Sequence, residues 1–261
     1  MQRCDVVVVG SGNVAEAFAR SLATCEGVTL CQIYARNEQR GRAIAQMCGC
    51  AWCGEAESIA MADIYIIAVS DRAVEEVAAA LIVPEEAIIL HTAGSVPMSA
   101  IPHRGGRRGI IYPLQSFSKG REIDLHDVPL FIEADSDTVR ESVTRLAQSI
   151  SSCVEYATSE RRRYIHLAGV FVNNFTNHMY AIGGDVLANA DLPFDILKPL
   201  IRETAAKAIA TSDPRTVQTG PAARNDRAVV ERHMAMLEGD ERRREIYKNI
   251  TDSIWETSKK I

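Results

Sequence analysis

No apolar run in this 261-residue chain approaches the roughly 18 residues needed to cross a bilayer, so a membrane-spanning helix is not expected. There is no surplus of basic charge either. Twenty-nine Lys and Arg stand against 34 Asp and Glu, a formal net charge of −5. Nucleic acids and anionic membranes select basic surfaces, so neither partner is expected. No small-residue cleavage site follows the short apolar run of MQRCDVVVVGSGN, which reads as a first strand and not as a signal peptide. The seven cysteines (Cys4, Cys25, Cys31, Cys48, Cys50, Cys53 and Cys153) include no second pair at zinc spacing. An odd, scattered set suits a reduced, cytoplasmic protein, and Cys48, Cys50 and Cys53 read as structural thiols with no metal. Internal repeats and low-complexity tracts are absent too. What remains, 47% hydrophobic and 24% charged, is ordinary for a soluble globular protein and excludes disordered, collagen-like and coiled-coil classes.

The first part of the chain alternates strand and helix signals. Strands are expected at Asp5–Val9, Val28–Tyr34, Asp63–Val69, Ala87–His91, Gly109–Leu114, Pro129–Glu133 and Cys153–Tyr156. Helices are expected at Asn13–Thr24, Gln39–Met47, Ala73–Leu81 and Asp135–Ile150. Near-continuous apolar strands alternating with helices indicate a mostly parallel, doubly wound sheet covered on both faces, an α/β fold of Rossmann type. After about Thr158 strand signals stop. Ser159–Asn189 carries one long helical pattern, and Asp195–Thr211, Asp226–Leu237 and Asp240–Ser258 carry three more, separated by Pro and Gly breakers. The expected organisation is a dinucleotide-binding domain at 1–157 and an all-helical C-terminal domain at 158–261.

The strongest motif is Gly10-Ser11-Gly12-Asn13-Val14-Ala15, a G-x-G-x-x-A pattern between the first strand and first helix. Gly10 permits the tight turn, Gly12 lets a pyrophosphate approach the backbone, and Ala15 lets the helix pack close to the sheet. The helix N-terminus offers N–H groups and a positive dipole end to the phosphates. A second strand follows at βαβ spacing, which raises the motif above a mere glycine turn. An NAD-preferring site has Asp or Glu at the end of that second strand. Here the residues are Ala35-Arg36-Asn37, with Arg40 one turn on. Arg36 is suited to fork onto a 2′-phosphate, so NADP is expected over NAD. Ala68-Val69-Ser70 ends the next apolar strand, where small residues leave room for the cofactor's bridge. Asp71 reads as the N-cap of the following helix. His91 ends the strand after that, near the expected nicotinamide end, and is a candidate proton donor or a backbone-bonded structural histidine.

On an ideal α-helix, Asn173 and Asn177 return to within about 20° of His166, and Asn174 lies about 80° round. Tyr164, Phe171, Phe175, Met179 and Ile182 occupy the opposite face. Solvated helix faces are rich in Glu, Lys and Arg, yet residues 166–184 contain none of these. The polar stripe therefore reads as the wall of a cleft holding a carbonyl or imine, or as buried polar packing. His166 is the leading candidate acid and His91 the second, with Asn173 and Asn174 positioning the substrate.

Gly10–Ala15, Ala35-Arg36, Ala68–Asp71 and His91–Ser95 occur in an order that resembles the pyrroline-5-carboxylate reductase-like NADP oxidoreductases, relatives of the 6-phosphogluconate dehydrogenase superfamily. Tyr112–Phe117, His166 with Asn174, and Thr219-Gly220-Pro221 with Arg224 and Asp226 resemble one subgroup. Its members join a Rossmann-like domain to a helical domain of unassigned function. The resemblance implies an NADP-dependent oxidoreductase acting on a small molecule, and a homodimer paired through the helical domain. Two departures stand out. Many superfamily members carry a lysine four residues before the asparagine, and the matching position here is Val170. The Ser-Gly-Ser-Gly-Pro-Ala segment of pyrroline-5-carboxylate reductases is replaced by His166-Leu-Ala-Gly-Val-Phe-Val-Asn173-Asn174, so a proline-biosynthetic enzyme is not expected. The expected reaction is hydride transfer between nicotinamide and a small carbonyl or imine. The alternative is a non-catalytic dinucleotide-binding sensor or interaction module.

Overall fold

The computed structural model describes residues 3–102 and 107–259. It divides into two compact units, Met1–Asn174 and Phe175–Ile261. The first is built on one eight-stranded sheet: β1 (Cys4–Val9), β2 (Val28–Tyr34), β3 (Ala51–Cys53), β4 (Ile64–Ile67), β5 (Ile88–His91), β6 (Arg107–Pro113), β7 (Leu130–Ala134) and β8 (Val154–Tyr156). The order is β3-β2-β1-β4-β5-β6-β7-β8, parallel throughout except between β6 and β7. The chain reverses direction of winding between β1 and β4, the switch point at which such sheets bind ligands beyond their strand ends.

Alternation along β1 explains why its sequence is apolar at every position from Val6 to Val9. Val6 and Val8 enter a core with Phe18, Leu22 and Ile44, and Val7 and Val9 enter a second core with Tyr65, Ile67 and Leu81. The covering helices are α1 (Asn13–Ala23), α2 (Glu38–Cys48), α3 (Val74–Ala80) and α4 (Asp137–Ile150). Their ends follow local chemistry. Asn37 caps α2 by accepting the Arg40 N–H, and Gly49 closes it in the left-handed conformation. α4 starts two residues later than expected because Ser136 is its cap, accepting the Val139 N–H. The strand β3 was not anticipated: three residues between turns, edged onto β2, are too few to show a period.

The long helical pattern over 159–189 is not one α-helix. α5 (Ser159–Gly169) runs into a π-helical segment, Val170–Phe175, and α6 (Thr176–Ala188) follows. The second unit further contains α7 (Lys198–Ile209), α8 (Arg227–Met236) and α9 (Glu241–Ser258). α7 begins later than Asp195 because Phe194–Leu197 takes a tighter 3₁₀ turn after Pro193. Asp226 and Asp240 cap α8 and α9. Arg243 pairs with Asp185 across α9 and α6 at 2.6 Å, and His233 meets Tyr247 across α8 and α9 at 2.8 Å. Among the described residues of this unit, Ala222 alone is buried.

Candidate functional site

The turn from β1 into α1 requires both of its glycines, for different reasons. Gly10 has φ +130°, and a Cβ there would lie 2.5 Å from the Ala68 carbonyl oxygen at the end of β4. It is fixed by backbone conformation and by the close approach of the neighbouring strand. Gly12 meets nothing within 4 Å of where a Cβ would stand. Its missing side chain leaves open space at the N-terminus of α1, where helix N–H groups and the positive dipole end are directed. Ala15 is fully buried. A cleft of about 470 Å³ opens here. Gly10, Ser11, Gly12, Asn13 and Val14 form its floor, Ala35, Arg36 and Asn37 one end, and Ala68, Val69 and Ser70 the flank. All eleven residues expected to contact a dinucleotide thus line one cleft. The side chain of Arg36 is exposed there.

Arg40 occupies a place that the sequence did not indicate. Its guanidinium donates to the Ser11 carbonyl (2.8 Å), to Asn13 Oδ1 (3.0 Å) and to Glu16 Oε2 (2.8 Å). Asn13 in turn donates from Nδ2 to the Phe117 carbonyl at 3.1 Å. The side chains of Arg40 and Asn13 therefore brace the loop. This set fits a dinucleotide phosphate: an unfilled cradle at Gly12, a free cation at Arg36, and a loop stiffened from behind.

Asp71 is not a helix cap. The segment Asp71–Ala73 is a 3₁₀ turn starting after Ser70, and the Asp71 carboxylate accepts from Ser95 Oγ at 2.5 Å. The pair ties the loop after β4 to the loop after β5. His91, fully buried, accepts the Ala93 N–H at Nδ1 (3.2 Å), which puts its proton on Nε2, 3.4 Å from the Pro97 carbonyl. Burial, then the Arg162 guanidinium, push its pKa down from 6.5 to about 4. Both ring nitrogens face backbone.

A second cavity, of about 590 Å³, lies within the first unit and contains His166, Asn173 and Asn174 together. The π-helical segment explains this grouping. Its wider i→i+5 turn departs from the 100° step of an α-helix, so adjacent Asn173 and Asn174 both reach the cavity. Tyr112, at the end of β6, was quoted only as part of a motif. Its Oη lies 3.2 Å from His166 Nδ1. The two rings meet edge to face. Gly94 makes room for them, since a Cβ at that position would stand 2.7 Å from His166 Nδ1 and 2.8 Å from the Tyr112 ring. Gln115 and Ser116 complete the polar lining, and Leu114, Phe131, Ile165 and Val170 contribute apolar wall. Ser116 lines this cavity and its neighbour Phe117 lines the glycine-loop cleft, so one short loop borders both. Among the described residues, no group of His, Cys, Asp and Glu side chains has a metal-binding arrangement.

Behind the cavity, Arg162 is 1% exposed and bonded to Glu133 Oε2 (2.6 Å) and the Val96 carbonyl (2.7 Å). It joins α5 to β7 and to the loop after β5.

Two family models match the chain, and the second spans parts of both compact units. Residues 5–94 match the family model described as "NADP oxidoreductase coenzyme F420-dependent", and residues 128–254 match that of a domain of unknown function, DUF2520. No curated protein matches the chain. The crystal structure of a "putative NADP oxidoreductase" from Bacteroides fragilis is 38% identical, with a TM-score of 0.89, covering 98% of this chain and 99% of that one. A Thermotoga maritima protein of 22% identity covers 98% of both chains with a TM-score of 0.75. A reductive aminase from Aspergillus terreus, in complex with NADPH and ethyl-5-oxohexanoate, shares the fold at 12% identity and a TM-score of 0.70, covering 99% of this chain and 94% of that one.

Proposed function

Because this chain belongs to the NADP oxidoreductase family that includes the Bacteroides fragilis protein, we propose that it transfers hydride between NADP and a small carbonyl or imine compound. The observation that carries the reading is the open cradle at Gly12, separated by a single loop from a cavity holding a tyrosine–histidine pair. NADPH, when bound, supplies the hydride. The chain supplies everything else. Backbone N–H groups of Ser11, Gly12, Asn13 and Val14 hold the pyrophosphate, with Gly10 shaping the turn. Arg36 forks onto the 2′-phosphate, between Ala35 and Asn37. Ala68, Val69 and Ser70 border the bridge toward the nicotinamide.

His166 is the proposed proton donor. With Tyr112 donating to Nδ1, the ring holds its own proton on Nε2; as that proton passes to a substrate oxygen or nitrogen, the Tyr112 hydroxyl proton moves to Nδ1, so the ring stays neutral and the phenolate is reprotonated from solvent. Asn173 and Asn174 offer amide donors and acceptors that orient the substrate without adding charge. His91, neutral and engaged at both nitrogens, acts by holding the loop that carries Gly94 against the pair. Arg162 and Glu133 hold α5 in place. A homodimer paired through the helical unit is part of the same reading, supported by Ala222 being the one buried residue among those described there, and a cytoplasmic location is supported by the seven free cysteines.

The test is a fluorescence titration with NADPH and NADH. NADPH is expected to bind at least several-fold tighter, and Arg36→Ala to erase that difference while leaving NADH binding unchanged. Equal affinities in the unmodified protein would remove the role given to Arg36. No binding of either cofactor would remove the enzymatic reading.

A further inference from the structure

We propose that the substrate of this site is uncharged, with an apolar body and one carbonyl or imine end, and that compounds carrying a carboxylate are excluded. The inference rests on the oxidoreductase reading above. It comes from what the second cavity offers a ligand. Its polar groups are Tyr112, Gln115, Ser116, His166, Asn173 and Asn174, all uncharged side chains when the imidazole is neutral. Among the described lining residues there is no Lys, Arg, Asp or Glu. The basic residues on α5 do not change this. Arg162 is 1% exposed and neutralised by Glu133 at 2.6 Å, and Arg161 and Arg163 are exposed and outside the lining.

The remaining wall is apolar: Leu114, Phe131, Ile165, Val170 and their neighbours. A carboxylate placed against such a wall gives up part of its hydration and gains no counter-ion from the lining. A neutral ligand loses little, and its carbonyl finds amide and hydroxyl donors. The polar and apolar linings thus select by charge as well as by shape.

Amide and acid forms of one skeleton isolate the charge. Cyclohexanecarboxamide and benzamide are titrated calorimetrically against cyclohexanecarboxylate and benzoate at pH 8, above the ordinary imidazole range. Each is run with the protein alone and with NADP⁺ present, and NADP⁺ binding is measured separately. At least one amide is expected to bind ten-fold or more tightly than its acid. Val170→Lys and the exposed Ser116→Arg each place a cation in the lining and are expected to bring the acid to parity or beyond. Two variants are used because Val170 is half-buried and its lysine form has to be shown folded by thermal melting. An acid that binds the unmodified protein as well as its amide overturns the proposal. So does an absence of binding by every probe. Either result with NADP⁺ binding intact leaves the oxidoreductase reading standing. A protein that does not bind NADP⁺ overturns both.

Discussion

Gly10 and Gly12 stand two residues apart in one motif, and their substitutions are expected to fail in opposite ways. Gly12→Val places its side chain in open space, so the melting temperature should move little while NADPH binding is lost. Gly10→Ala meets the Ala68 carbonyl and a positive φ, and should lose about 1–3 kcal/mol from backbone conformation alone. Thermal melts beside NADPH titrations separate the two. If Gly12→Val binds NADPH normally, the loop is only a turn. The glycines were legible in the sequence because their spacing has a physical cause. The role of Arg40 was not, because a cation near a phosphate loop reads equally as ligand or brace until its three acceptors are seen. His91 was legible as a strand-end residue with two readings, and only its burial gives its titration behaviour. Its pKa is lowered from 6.5 to about 4, so the unfolded chain takes up the proton first. The associated stability is complete above pH 6.5 and is lost as pH falls toward 4. The size is roughly 3 kcal/mol. Urea denaturation across that window, comparing the unmodified protein with His91→Asn, should show the difference between the two curves shrinking by about that amount at the acid end. Parallel curves would mean that His91 is not a buried neutral histidine.

At the scale of elements, seven of the eight strands were readable to within two residues because burial on both faces leaves an unbroken apolar signature, as in Val6–Val9 and Ile64–Ile67, and the short edge strand β3 was not. The long helix was readable as a helix but not as an interrupted one. Nothing in VFVNNF breaks an α pattern, and a wheel drawn at 100° per residue leaves Asn174 about 80° from His166, at the edge of the cleft, whereas the π-helical segment lines one cavity with both asparagines and His166. α5 leads into that segment from a buried anchor. The Arg162–Glu133 pair ties α5 to β7, and Arg162 also holds the Val96 carbonyl. Removing one member leaves the other charge buried without its partner. Arg162→Met and Glu133→Gln should each cost about 3–5 kcal/mol in denaturant unfolding. The double substitution should cost less than the sum of the two, because both partners then leave together. Additive losses would show that the two residues act independently.

At the scale of the whole molecule, the two compact units differ in how completely they bury their own apolar residues. The first has buried side chains on both faces of its sheet. In the second, Leu200 is 63% exposed, Met236 76% and Ile209 85%, and Ala222 is the one buried residue among those described. A unit of this length normally gains its stability from an interior, and we propose that exposed apolar surface on this scale is covered by a second copy of the chain. Two-fold dimers are the commonest closed solution. The sequence showed one apolar stripe on the long helix, whereas exposed apolar residues also lie on α7 and α8, which a helical wheel of one segment cannot reveal. Light scattering at micromolar concentration is expected to give twice the chain mass of 28.6 kDa. Leu200→Glu then distinguishes a specific dimer from incidental association. If Leu200 faces solvent in solution, a charge there is harmless, and mass and melting temperature stay unchanged. If it is buried between two chains, the charge loses hydration at the contact and the dimer should dissociate, with a lower melting temperature because the helical unit loses its shared interior. A mass near 28.6 kDa for the unmodified protein would show that the helices complete their packing within one chain.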